Sequence, residues 1–181
     1  ETIMGSVCYK CSSDTSDMDV YGYCMPPKDY IFPHLAGYLY GFDNLPKFEQ
    51  YQQHHVFDKD ALAGKGRLYD FSIFSIIRYF SLLLENNPNV VDSLFVQEGC
   101  VLHSTQIGNL VRENRKLFLH KGAFVKFKGY LYSQYHKMDS QERTGKRKET
   151  YDKYGWDIKF GYHCLRLADE IEQILMYGDL E

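Results

Sequence analysis

The chain has 181 residues, is 44% apolar and 25% charged, and carries a net charge of −3, a balance close to the globular average. Its 16 Tyr, 12 Phe and single Trp exclude a disordered polypeptide. A transmembrane helix is excluded as well, because the best apolar stretch, Phe71 to Leu84, is short and carries Ser72, Ser75, Arg78 and Ser81.

The opening Glu1-Thr2-Ile3-Met4-Gly5-Ser6 does not read as a signal peptide. The first thirty residues are loop-rich, with the polar run Ser12-Ser13-Asp14-Thr15-Ser16. Asp17-Met18-Asp19-Val20-Tyr21 then alternates polar and apolar, which predicts a strand with both carboxylates on one face. Residues 33–67 have little periodicity and many breakers (Gly37, Gly41, Pro46, Gly64, Gly66), so loops with short strands are expected. Arg67–Phe71 is a further strand candidate.

From Ser72 the period changes. Ile73, Ile76, Ile77, Phe80, Leu83 and Leu84 fall on one helical stripe, with Ser72 as N-cap and Asn86-Asn87-Pro88 as the stop. A second helix is predicted after Ser104 through Ile107, Leu110, Val111, Asn114 and Leu117, and a third through Phe124, Phe127, Leu131, Tyr135 and Met138. Residues 139–153 lack an apolar period and read as a mobile loop. A final helix is expected from an N-cap at Asp157 to Gly178, burying Leu165, Ala168, Ile171, Ile174 and Leu175. The fold class is therefore mixed α/β (α+β) followed by a helical C-terminal part.

Five scattered cysteines (Cys8, Cys11, Cys24, Cys100, Cys164) read as reduced thiols of a cytoplasm-like compartment. Cys8-x-x-Cys11 has no second pair to complete a zinc site, so the expectation is two incidental small residues in a loop. Charge is unevenly placed. Arg112–Lys153 holds 12 Lys/Arg against 5 Asp/Glu, a net +7, and the remainder nets −10. An acidic part beside a basic part suits a metal site facing a polyanion, and it equally suits a solvated helix face with a charged loop.

The informative spacing is Gly5-Ser6, ten residues, then Asp17-x-Asp19. Glycine lets a backbone turn approach a phosphate, and a serine hydroxyl with neighbouring N–H groups can hold it. Two carboxylates on one strand face can bridge hard divalent cations. A third, for which Asp70 is the candidate, would complete a two-metal site for in-line displacement at phosphorus.

These residues resemble the signature of the polymerase-β-like nucleotidyltransferases, most closely a branch of predicted nucleotidyltransferases that includes the RNA ligase-associated RNA-repair proteins. The blocks that carry the likeness are Gly5-Ser6-x-x-Tyr9, Ser16-Asp17-Met18-Asp19-Val20-Tyr21-Gly22, Pro26-Pro27-x-Asp29-Tyr30 and Tyr69-Asp70. Further along come Leu83-x-x-Asn86-Asn87-Pro88-Asn89, Gly129-Tyr130 with Ser133-Gln134, and Tyr154-Gly155-Trp156-Asp157-x-Lys159 with His163 and Leu165-Arg166-Leu167. Residues 31–66 match only loosely.

The resemblance implies a small mixed sheet of nucleotidyltransferase type in a catalytic core over residues 1–100, and a helical subdomain over 101–181 closing the cleft. It implies that Asp17, Asp19 and Asp70 hold two Mg²⁺, with Mn²⁺ as the alternative. Gly5 and Ser6 would grip the phosphates of a nucleoside triphosphate, with Tyr9 and Ser16 in the same nucleotide site. Lys159, His163 and Arg166 stand at i, i+4 and i+7 on one polar stripe with Glu170, which is ordinarily a solvated face. Given the resemblance, they are expected to face the cleft and bind triphosphate or acceptor. Lys159→Ala and Arg166→Ala should then weaken triphosphate binding without lowering the melting temperature.

The implied reaction moves a nucleoside monophosphate onto an acceptor hydroxyl, an RNA end for preference. Alternatives are transfer to a protein or small molecule, and a non-catalytic nucleotide- or nucleic-acid-binding partner of a repair enzyme. No membrane partner is expected, and the compartment is the cytoplasm, or a host's cytoplasm for a phage-encoded chain.

Overall fold

A computed structural model describes residues 1–12 and 16–181, apart from the side chain of Lys146. Ser13, Asp14 and Thr15 of the polar run lie outside the described residues. The chain divides into two compact units, residues 1–82 with 92–113, and residues 83–91 with 114–181. Residues 92–113 thus group with 1–82, and 83–91 with 114–181. Among the described residues no helix is long and apolar enough to cross a membrane.

The first unit holds a four-stranded mixed sheet in the order β1-β2-β4-β3. Its strands are β1 Thr2–Met4, β2 Met18–Cys24, β3 Gln50–Asp58 and β4 Arg67–Ser75. β2 and β4 run parallel, while β1 and β3 pair antiparallel along their outer sides. Alternation in 17–21 correctly announced β2. The nine-residue β3 escaped notice because nearly all its residues are exposed, so no buried face imposes a period of two.

β4 corrects the expected helix start. Ser72 lies inside the strand, opposite Tyr21, and the helix runs Ile76–Leu84. Ser75, whose hydroxyl accepts from the Arg78 amide at 3.2 Å, does the capping assigned to Ser72. Burying Ser72 and Phe74 between two neighbouring strands outweighs the helical spacing of Ile73. Tyr79, Leu82 and Leu83 are buried, whereas Ile77 and Leu84 of the expected stripe are exposed. A helix that the sequence did not announce follows at Pro88–Phe95; Pro88 opens it rather than closing the previous one. Gln106–Glu113 matches the helix expected after Ser104.

In the second unit, helix Ala123–Ser140 packs against helix Ile158–Tyr177. Asp157 caps the latter by accepting from the Phe160 amide at 3.2 Å, and Gly178 ends it in the left-handed conformation, both as predicted. The buried side is only partly the predicted one. Ile174 is buried and Ile171 half-buried as expected, but Phe160, Leu167 and Glu170 share the buried side, while Leu165, Ala168 and Leu175 are exposed. The expected loop 139–153 contains a helix, Gly145–Tyr154. It has no apolar period because charged side chains anchor it: the Arg143 guanidinium lies over the Tyr151 ring, and that of Arg147 over Phe160.

Candidate functional site

Strand pairing brings two of the singled-out acids together in the first unit. β1 ends at Met4, the register partner of Asp19 on β2, and Asp19 is the partner of Asp70 on β4. Register partners share a sheet face, so both acids stand on the same face, where β1 delivers Gly5 and Ser6. Gly5 has φ +65°, and a Cβ built on it would lie 2.0 Å from Asp19 Oδ2. Only glycine tolerates both that backbone and that proximity.

Gly5→Ala is therefore expected to cost at least about 1–2 kcal/mol for the left-handed backbone alone. The Asp19 carboxylate must move as well. A thermal melt should show a drop of roughly 2–8 °C, and an unchanged melting temperature contradicts the close approach.

Asp70 is held from the edge strand. Between the pairs Gln53↔Phe71 and Val56↔Tyr69 the register slips, leaving His54 and His55 opposite Asp70 in a β-bulge, with His55 at φ +57°. The His55 amide donates to Asp70 Oδ1 at 2.7 Å, and His54 Nδ1 lies 3.3 Å from Oδ2. Burial tends to raise the Asp70 carboxyl's pKa. The His55 amide, the His54 hydrogen bond and the charges of both imidazoles outweigh it and hold the group below its ordinary value. Sequence reasoning missed this pair. Adjacent residues point to opposite faces of a regular strand, and nothing in 50–58 announces the bulge that turns both toward one carboxylate.

The other predicted residues of this unit are placed less closely. Asp17 is exposed, just ahead of β2, and Ser16 is half-buried beside it. Ser6 lies in the short Gly5–Cys8 turn of helix. The Tyr9 hydroxyl donates to Asp92 at 3.0 Å, so its polar end is engaged in packing. Among the described residues no three His, Cys, Asp or Glu side chains gather closely enough to hold a metal ion. Two acids are paired across the strands, but a three-carboxylate centre is not assembled. Cys8 is buried and Cys11 exposed. A cavity of about 640 Å³ in this unit is lined by Tyr21, Tyr23, Tyr79, Leu94 and Arg112 among others, and none of the predicted site residues lines it.

The remaining three candidates lie in the second unit. Lys159 is exposed, whereas His163 and Arg166 are partly buried, so the polar stripe of the last helix is no solvated face. Arg166 Nη1 meets Glu170 Oε1 at 2.5 Å, with about a tenth of each side chain exposed. That pairing corrects the expectation that Arg166→Ala would leave stability untouched, because it would remove a buried ion-pair partner of Glu170. Burial, then the charges of Arg166, Lys159 and Arg147, lower the His163 pKa to about 4, so at neutral pH its ring is uncharged.

No curated protein and no solved structure matches the chain. The family model RlaP, described as the RNA repair pathway DNA polymerase beta family, matches residues 1–180, and on that near-complete match the chain belongs to this family.

Proposed function

We propose that the chain is a divalent-cation-dependent nucleotidyltransferase, moving a nucleoside monophosphate from a nucleoside triphosphate onto the hydroxyl of an RNA end, with pyrophosphate and the hydroxyl proton released. The observation that carries this reading is the side-by-side register of Asp19 and Asp70, with the Gly5 backbone pressed against the Asp19 carboxylate. Membership of an RNA repair polymerase-β family supports both the chemistry and the acceptor.

The donor set fits the expected cation in kind. Asp17, Asp19 and Asp70 offer carboxylate oxygens, the ligands that Mg²⁺ and Mn²⁺ take. Asp70 would join such a site by exchanging its contacts with His54 and His55. A divalent cation held there would supply charge neutralisation and lower the pKa of the attacking hydroxyl. The rest falls to the chain. Gly5 and Ser6 would hold phosphate oxygens at the turn of the first unit. In the second unit, Lys159, His163 and Arg166 would offer positive charge and a neutral hydrogen-bonding ring to a phosphate. Catalysis of this kind is positioning and electrostatics, without a covalent intermediate on the protein.

A second reading is favoured by the commitment of Asp70 to two histidines: a nucleotide- or nucleic-acid-binding partner of a repair enzyme, without transfer. Incubation with each α-labelled triphosphate, Mg²⁺ or Mn²⁺, and RNA bearing a free 3′-hydroxyl separates the two. Label appearing on RNA is the expected result. Label on protein redirects the acceptor, and binding without any transfer establishes the second reading.

A further inference from the structure

In the second unit two largely buried arginines share one buried carboxylate. Arg143 and Arg147 approach Asp157 Oδ2 at 3.4 and 2.8 Å, and Arg166 pairs with Glu170. Lys159, exposed one turn before His163 on the last helix, adds a further positive charge. Arg147 reaches Asp157 and lies over the Phe160 ring at the start of the last helix, where Lys159, His163 and Arg166 follow at i, i+4 and i+7. Two nitrogens at this place, Arg147 Nη2 and His163 Nδ1, are buried with no hydrogen-bond partner. Buried donors left without a partner are rare in native proteins, and each one asks for a missing ion or water. Surplus positive charge beside them selects an anion.

We propose that Arg147, Lys159 and His163 form an oxyanion site that takes a phosphate group without a divalent cation. Arg147 supplies a guanidinium N–H beyond the pair that holds Asp157. His163, neutral at working pH, supplies one hydrogen bond at no charge cost, and exposed Lys159 supplies a mobile positive charge at the rim. Glu170 and Asp157 keep the arginines in place and limit affinity by opposing the anion. This inference rests on the reading of Lys159, His163 and Arg166 as phosphate ligands. It adds Arg147 from the 145–154 helix and makes the site independent of Asp17, Asp19 and Asp70. The phosphate belongs either to a nucleoside triphosphate or to an RNA strand, and the two are separable by experiment.

The test is calorimetric titration of the full chain in EDTA with inorganic phosphate, with ATP, and with short RNAs ending in a phosphate or a hydroxyl. Phosphate should bind the wild type and Asp19→Asn alike. Lys159→Ala and Arg147→Lys, the latter preserving charge near Asp157, should each weaken it at least fivefold. Preference for ATP assigns the site to the triphosphate, and preference for the phosphate-ended RNA assigns it to the strand; either supports it. Absence of phosphate binding in EDTA overturns the proposal, as does wild-type affinity in both variants. Phosphate binding without label transfer would sink the enzyme and leave this site standing. Label transfer without phosphate binding in EDTA would do the reverse.

Discussion

Asp157→Ala should destabilise the second unit by about 3 kcal/mol, more than any exposed charge replacement in the chain. Three losses combine. The side chain, only 2% exposed, caps the last helix through the Phe160 amide, and a lost cap costs about 1 kcal/mol. It also accepts from Arg147 Nε at 2.8 Å and meets Arg143 at 3.4 Å. Removing it leaves two partly buried guanidinium groups facing each other without a counter-charge.

The pH dependence follows from the same contacts. Burial pushes the Asp157 carboxyl up, but the Arg147 hydrogen bond, the Phe160 amide and the charges of Arg147 and Arg143 bring it below its ordinary value. A depressed native pKa means that the contribution is complete above the ordinary carboxyl range, roughly pH 4. It is lost as pH falls further through the native value. Thermal melts should therefore show the Asp157→Ala penalty in full at neutral pH and shrinking below about pH 4. A penalty under about 1 kcal/mol at neutral pH contradicts the assigned role of the residue.

The second large effect concerns the acids of the sheet. Asp19→Asn and Asp70→Asn should each lower the transfer rate by at least about 10²–10³-fold, the scale on which a single electrostatic stabiliser of a transition state acts. Stability should hardly move for Asp70→Asn. Its partners His54 and His55 have 53% and 74% of their side chains exposed, and such pairs are worth little. The pairing of a large kinetic loss with an unchanged melt is the signature sought. Transfer at wild-type rate in either variant removes that acid from the reaction.

Legibility of the fold followed burial. β2 was readable because Val20 is buried while its neighbours are not, giving the alternation its contrast. The caps at Asp157 and Gly178 were readable because they are local chemistry. The 145–154 helix was not, since arginine stacking and ion pairs hold it where an apolar stripe would ordinarily be seen. The inward face of the last helix was misjudged for a related reason: Glu170, buried with Arg166, occupies the side that periodicity assigned to solvent. At the site, Gly5-Ser6 and Asp17-x-Asp19 could be read in one line of sequence. The pairing of Asp19 with Asp70 spans 51 residues and is fixed only by the parallel register of β2 and β4. The histidine contacts of Asp70 depend on a bulge, which has no signature in 50–58.

In the proposed reaction Asp19 and Asp70 act together as ligands of a divalent cation in the presence of a nucleoside triphosphate. Electron paramagnetic resonance of Mn²⁺ titrated into the protein with a non-hydrolysable triphosphate analogue tests it most directly. Bound Mn²⁺ is expected in the wild type, with at least tenfold weaker binding in both Asp19→Asn and Asp70→Asn. Mn²⁺ binding that ignores both substitutions, or no binding by the wild type, contradicts it.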